Sequence, residues 1–225
     1  MGAFLAWALR AIGPEAREAI PALHAALTNQ DPRLRVEVAW AIWSVAKETN
    51  LVVEICTNAF ATSRGDILAA WVLEDLGPVS AGTAPLILQV LRDQSRSERL
   101  RSTAALTLGR MGLQTGEIKG ALVAGTEDVK PLVRIGCAVA LWQLDNKYAP
   151  IATLTIIDGL IKLDKSYGEA SEDFVQFAEN HKLDTKASVP TLTELLKSES
   201  PIIRQAASEA LKKIGAKQIT GAEGR

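Results

Sequence analysis

The sequence predicts an all-α chain built from stacked helix pairs, and three observations support this fold class. The strong helix formers Ala and Leu are the commonest residues, at 34 and 28 of 225. A helical segment with one apolar pattern recurs about every 33 residues along the whole chain. Between its copies lie other helical segments that open with proline.

The recurring segment is clearest between Ile203 and Gly215, and its residues can be numbered from position 1 to position 13. Seven copies start at residues 1, 34, 65, 100, 133, 166 and 203. The copy at 166 is the weakest, because Tyr167 replaces the arginine of position 2, and Phe174 and Phe177 stand where other copies have aliphatic residues. Regular spacing of this kind is typical of a repeat architecture.

Within each copy, apolar or small residues fall at positions 5, 8, 9 and 12 in nearly every case, and they form one stripe on a helix. This stripe is the predicted buried face. Position 6 is Ala in five copies and Ser in two, which predicts the close approach of a neighbouring helix. Position 13 is glycine in four copies and predicts a helix stop at Gly13, Gly77, Gly112 and Gly215.

The segments between the copies supply the first helix of each pair. Four of them carry a proline that fits the first helical turn, where a backbone N–H has no helical partner: Pro21, Pro85, Pro150 and Pro190. Acidic residues in three turns precede the arginine of position 2, in the pairs Asp31 with Arg35, Asp128 with Arg134, and Glu199 with Arg204. We expect these acids to pair with arginines and tie the stack together; the alternative is that both groups are solvated.

A proline-led first helix, an acidic turn and a second helix of the form V-R-x-x-A-A-x-A-L-G-x-I-G resemble the HEAT family, specifically the short HEAT-like repeats also found in phycobilin lyases. The resemblance covers the chain from Met1 to about Gly215 and is weakest over 164–186. It implies a right-handed α-α superhelix, a HEAT-like α-solenoid, as a single array over residues 1–225. Because the sequence opens on a second helix, we expect a piece of a longer array, or self-association through an uncapped N-terminal helix.

The resemblance also implies that second helices line the concave side of the superhelix. Positions 3, 4, 7 and 11 face away from the buried stripe, and position 7 is tryptophan in three successive copies. We expect a surface that binds a protein or peptide partner, formed by Phe4, Trp7, Val36, Glu37, Trp40, Ile67, Leu68, Trp71 and Asp75. Glu37 and Asp75 lie at its border and would accommodate a basic residue of the ligand.

A structural role for the tryptophans is the alternative. In that case Trp7, Trp40 and Trp71 fill the narrow inner side of the curve between neighbouring second helices. Trp43 and Trp142 occupy position 10 instead, and we expect them to pack at helix edges.

Motifs for catalysis or metal binding are not found in the sequence. His24 and His181 have no partner histidine four residues away, and the His-Glu motifs of iron hydroxylases built on HEAT repeats are missing. HEAT-like alkylpurine glycosylases need a basic concave face, which this sequence lacks. We therefore predict a non-catalytic interaction scaffold without metal or cofactor. Lyase or isomerase activity on a phycobilin tetrapyrrole is the alternative, with no chromophore ligand identified.

Charge and composition restrict the partners further. Lys plus Arg number 25 and Asp plus Glu 26, so the net charge of −1 disfavours nucleic-acid binding. No apolar run approaches the roughly 20 residues that cross a bilayer, and residues 1–10 fit the repeat better than a signal peptide. Cys56 and Cys137 are predicted to be buried thiols of a reducing compartment, which favours a cytoplasmic location.

Overall fold

A computed structural model describes residues 2–62, 66–167 and 174–222 of the chain, and in these residues the regular structure is helical throughout. The predicted all-α class is confirmed, while the right-handed superhelix stays a prediction. The chain divides into two compact units, Met1–Met111 and Gly112–Arg225. A single array over residues 1–225 stays a prediction.

The first unit alternates second and first helices in chain order, as the repeat predicts. Its second helices are α1 (Ala3–Ile12), α3 (Pro32–Ala46), α5 (Asp66–Leu76) and α7 (Glu98–Met111). Its first helices are α2 (Ile20–Ala26), α4 (Thr49–Thr62) and α6 (Ala84–Arg92). Each of α3, α5 and α7 contacts the first helix that precedes it or the 3₁₀ segment leading into it, and α3 also contacts the neighbouring second helices α1 and α5.

The second unit contains three further pairs. The first helices are α8 (Gly116–Gly125), α10 (Ala149–Tyr167) and α12 (Val189–Leu195), and the second helices are α9 (Pro131–Leu144), α11 (Phe174–Asn180) and α13 (Pro201–Ala222). The helices α9 and α10 pack against each other, as do α8 with α9 and α12 with α13.

The predicted buried stripe lies in the core of both units, but the prediction is wrong for α1, where Leu5 and Ile12 at positions 5 and 12 are exposed. On α3, positions 5, 8, 9 and 12 are Val38, Ala41, Ile42 and Val45, and all four are buried. Val38, Ala41 and Ile42 form one cluster with Leu23 of α2, so the stripe covers the first helix of its own pair. The position 6 alanines are completely buried in all five copies: Ala6, Ala39, Ala70, Ala105 and Ala138. Their burial agrees with the predicted close approach of a neighbouring helix, and Ala6 lies in one cluster with Val38, Ala41 and Ile42 of α3.

Three of the four predicted glycine stops end a helix. Gly13, Gly77 and Gly112 have φ values of 77°, 59° and 72°, in the left-handed region that side chains with a Cβ disfavour. The fourth prediction is wrong, because Gly215 lies inside α13, which continues to Ala222. A glycine at position 13 permits a left-handed stop but does not enforce one, because a helix can continue through glycine.

Replacing two of these glycines by alanine should change stability in opposite directions. At Gly112, an alanine side chain meets no atom within 4 Å, so the left-handed backbone alone should lower the free energy of unfolding, by roughly 1–2 kcal/mol. Gly215→Ala, in a helix interior with equally open surroundings, should raise it by about 0.5–1 kcal/mol. Urea unfolding curves give both values, and a loss of stability at Gly215 would contradict the continuous helix.

The prolines of the first helices occupy the predicted place. Pro21, Pro85, Pro150 and Pro190 each follow the first residue of an α-helix, and each of these helices continues from a short 3₁₀ segment. Prolines at the start of α3, α9 and α13, which the repeat pattern had not included, stand two residues before position 1 of their copies. Proline at the first turn therefore marks helices of both kinds.

The arginines of position 2 contact the turns by donating hydrogen bonds to backbone carbonyl oxygens. Arg35 donates from Nη1 to the carbonyl oxygen of Asn29 at 2.8 Å, and Arg134 and Arg204 donate to the carbonyls of Asp128 and Ser198 at 2.8 and 2.6 Å. The expected pairing of these arginines with the turn acids is wrong, and Arg134 pairs instead with Asp158 of α10 at 3.4 Å. The carboxylates of Asp31 and Asp128 instead accept backbone N–H groups two residues later, which fixes the turn itself.

The seventh copy departs from its predicted bounds. Residues 166 and 167 belong to α10, and the second helix α11 is described over Phe174–Asn180. Residues 168–173 of this copy lie outside the described residues, as do Met1 and Gly65 of two other copies.

Candidate functional site

The candidate site is an open groove in the first unit, formed by one face of three neighbouring second helices. It has a volume of about 270 Å³. The groove is lined by Ala3, Phe4, Trp7, Arg10, Glu37, Trp40 and Leu68. Five of these residues are among those predicted from the sequence: Phe4, Trp7, Glu37, Trp40 and Leu68.

Helical spacing places these side chains on one surface. On α1, Phe4, Trp7 and Arg10 follow one another at intervals of three residues, so they project from the same face. Glu37 and Trp40 have the same spacing on α3. The contact of α1 with α3 brings the two rows together.

Two aromatic rings on α1 stand out into solvent. Phe4 and Trp7 are 79% and 56% exposed, and their rings stack with a centroid separation of 6.0 Å. Large aromatic side chains contribute 150–250 Å² of surface each, and leaving such rings wet is unfavourable. Exposed neighbouring aromatic rings are typical of surfaces that bind a partner.

Trp40 is held in place by two charged neighbours. The guanidinium of Arg10 lies 3.7 Å from the centre of the Trp40 ring, and the indole Nε1 donates to Oδ2 of Asp75 at 3.0 Å. The ring is therefore half-buried and fixed in orientation, with Asp75 of α5 as a positioning residue. Sequence reasoning missed Arg10, although its spacing of three residues after Trp7 placed it on the same helical face.

Trp71 continues the row of position 7 tryptophans on α5, outside the groove itself. It is 40% exposed, and the guanidinium of Arg99 lies 5.4 Å from its ring centre. Ile67 is half-buried on the same helix and does not line the groove. Two exposed tryptophans and one half-buried one thus lie on successive second helices.

Val36 does not belong to this surface, and its prediction as a contact residue is wrong. The side chain is completely buried. The reason is that α3 contacts both α1 and α5, so flanking positions of this helix are covered from two sides. Position 3 was assigned to the open face from the geometry of a single helix, which does not include such lateral neighbours.

The acidic residues around the site already have partners. Glu37 forms an ion pair with Arg33 on the same helix, with 3.4 Å between Oε1 and Nε. Asp75 accepts the indole proton of Trp40. Beside it on α5, burial raises the pKa of the Glu74 carboxyl above its ordinary value, while the charge of Arg110 acts in the opposite direction.

The two position 10 tryptophans differ in their surroundings. Trp142 is buried in the second unit. Trp43 is half-buried, and the ammonium group of Lys47 lies 4.0 Å from its ring centre. Both belong to the packing of their helices and neither lines the groove.

The histidines and cysteines lie in separate places. His24 contacts Glu48 at 3.1 Å, and His181 stacks on Phe177 with 4.3 Å between ring centroids. Cys56 and Cys137 are both buried, and burial raises the pKa of the Cys56 thiol to about 12. Within the described ranges, no three His, Cys, Asp or Glu side chains lie close enough together to hold a metal ion.

None of the described helices combines the length and the apolar character that crossing a bilayer requires.

Comparison with known proteins identifies the repeat. The family model of the HEAT repeat matches residues 189–218, which span α12 and most of α13. Among solved structures, the crystal structure of an engineered protein is 21% identical, with a TM-score of 0.45; the match covers 93% of this chain and 63% of that one. No curated protein matches the sequence. HEAT repeats generally mediate contacts between proteins. With the matched repeat at 189–218 and helix pairs that recur on the same sequence pattern, this chain is similar to HEAT-like repeat proteins.

Proposed function

We propose that the protein is a non-catalytic scaffold and that the groove on α1, α3 and α5 binds a segment of a protein partner. The observation that carries this proposal is the exposure of Phe4 and Trp7 beside the fixed ring of Trp40. Together these rings form an apolar wall on rigid helices. Aromatic side chains in such a setting lose little conformational entropy when they bind.

The size of the groove favours side chains of a peptide over a whole cofactor. Its volume of about 270 Å³ lies below the range of about 300–1,000 Å³ that is usual for pockets enclosing small molecules. An open groove of this size can receive one or two large apolar side chains. Such anchors, inserted from an amphipathic helix or an extended segment, are a common mode of peptide recognition.

A peptide display library provides the test. Selection of short random peptides on the wild-type protein should enrich sequences with large apolar anchors, and Trp7→Ala should weaken the selected peptides by about tenfold or more, as expected for an aromatic hot spot. Trp40→Ala should have a similar effect. Val79→Ala, which alters another exposed apolar residue of the first unit outside the groove, is the matched control.

Two outcomes would contradict the scaffold proposal. One is a selection without enrichment on the wild-type protein, or peptides that bind equally well to Trp7→Ala. The other is the appearance of a visible absorption band shift when a bilin is added, followed by its covalent attachment or isomerisation, which would support the lyase alternative.

Self-association through α1 is a second proposal. It is supported by apolar side chains that are exposed on this helix. Leu5 and Ile12, at positions 5 and 12, are 47% and 55% exposed, whereas the equivalent residues of α3 are buried. A dimer that covers them should dissociate on Leu5→Ser with Ile12→Ser. Light scattering during size-exclusion chromatography measures this, and a concentration-independent monomer for the wild-type protein would exclude the dimer.

A further inference from the structure

The charge of the groove points to the chemistry of its ligand. The groove contains two charged side chains, Arg10 and Glu37. Glu37 is paired with Arg33, whereas no described residue accepts a hydrogen bond from Arg10 or forms an ion pair with it. Among the described residues that line the groove, the charged group without a hydrogen-bond or ion-pair partner is therefore the cation Arg10.

The position of Arg10 keeps its donors usable. Its guanidinium lies over the face of Trp40 at 3.7 Å. A guanidinium over a ring face has its N–H groups in its own plane, directed away from the ring, so they can donate to an incoming oxygen. Because stacking on a tryptophan already limits the motion of the side chain, a ligand would order little more on binding.

The sequence predicted that Glu37 and Asp75 accommodate a basic residue of the ligand. The groove offers such a residue no site comparable to the one that Arg10 offers a carboxylate. Asp75 does not line the groove and already accepts the indole proton of Trp40. The face of Trp40 that could receive a cation is occupied by Arg10. Like charges placed together would lower the affinity for a lysine or arginine at this point.

We infer that the groove takes a partner segment in which a large apolar side chain stands next to a carboxylate. The inference rests on the proposed binding function of the groove and adds the charge of its ligand. The apolar side chain lies against Phe4 and Trp7, and the carboxylate accepts hydrogen bonds from Arg10. A charged acceptor fits because such bonds are about twice as strong as neutral ones.

Display selection on matched variants tests this ligand class. On the wild-type protein, enriched peptides should carry Asp or Glu beside the apolar anchor. On Arg10→Gln, the anchor should persist while the acidic preference disappears. Arg17→Gln, which removes the same charge from an exposed side chain outside the groove, should select the same acidic peptides as wild type. Arg10→Lys should weaken the preference, because lysine lacks the planar group.

The binding affinities of one selected peptide then measure the energetic coupling between Arg10 and the acidic residue of that peptide. Exchanging the acidic residue of one selected peptide for its amide should weaken binding to wild type by about tenfold and leave binding to Arg10→Gln almost unchanged. Enrichment of basic peptides, or apolar peptides without charge preference, would overturn this inference and leave the binding function intact. A wild-type selection with no enriched peptides would instead remove the binding function, and this inference with it.

Discussion

Gly159→Ala is expected to lower the stability of the second unit by about 1–2 kcal/mol, although alanine is the better helix former. Gly159 lies inside α10, and a Cβ at this residue would stand 2.5 Å from Cγ1 and 2.7 Å from Cδ1 of Ile135 on α9. The helices α9 and α10 are packed too closely for a methyl group unless Ile135 or a backbone segment moves. The cost of this overpacking should exceed the helical gain of about 0.5–1 kcal/mol.

Gly120→Ala is the matched control, because Gly120 lies inside the first helix α8 of the same unit and has open space at its Cβ. This variant should gain about 0.5–1 kcal/mol. The two Gly→Ala changes thus separate helix propensity from packing in urea unfolding curves. Adding Ile135→Ala should remove the clash. The double variant should therefore have a higher free energy of unfolding than the two single effects predict when they are added together. Equal gains at both glycines would show that the two helices have room for a methyl group.

Arg101→Met is expected to lower the free energy of unfolding by about 1.5–3 kcal/mol, the range for hydrogen bonds to charged groups. Arg101 lies on α7, at position 2 of the repeat copy that starts at residue 100, and it is buried. Its Nε donates to the carbonyl oxygen of Leu91, near the end of α6, at 2.9 Å. Methionine keeps most of the apolar stem, so the loss reports on the polar head. The carbonyl at the end of α6 would be left without its donor in a place that water reaches poorly.

Two other arginines of the first unit calibrate this effect. Arg35→Met removes the equivalent donor to Asn29, but the side chain is half-buried, so water can substitute and the loss should stay below about 1 kcal/mol. Arg17→Met changes an exposed side chain and should have little effect. Thermal and urea unfolding rank the three variants. A loss at Arg35 as large as at Arg101 would mean that burial does not set the strength of these contacts.

Local patterns predicted most of the fold. Positions 5, 8, 9 and 12 of the repeat are buried in α3 as expected, because helical periodicity alone determines which side chains share a face. Prolines such as Pro85 and glycines such as Gly77 marked helix ends, because their backbone preferences act within one turn. Gly215 was misjudged for the same reason: the preference is permissive, and α13 continues through it.

The candidate site was predictable only in part. The common register of Trp7, Trp40 and Trp71 indicated that their second helices present one surface, and two of these rings are exposed. Sequence reasoning included Val36 and missed Arg10, because both depend on neighbouring helices: contacts of α3 on both sides bury the first, and the approach of α1 to α3 places the second over Trp40.

The sequence by itself determined the helices, their pairing and the apolar stripe, since these follow from interactions within about four residues and from a period of about 33. Only the tertiary structure decided the charge of the groove. Glu37 is paired with Arg33 of its own helix, and Asp75 accepts a hydrogen bond from an indole of another helix. Arg10 is left with its donors open. Which charge stays available depends on distances between residues far apart in the chain, and electrostatic interactions at these distances are set by packing and not by composition.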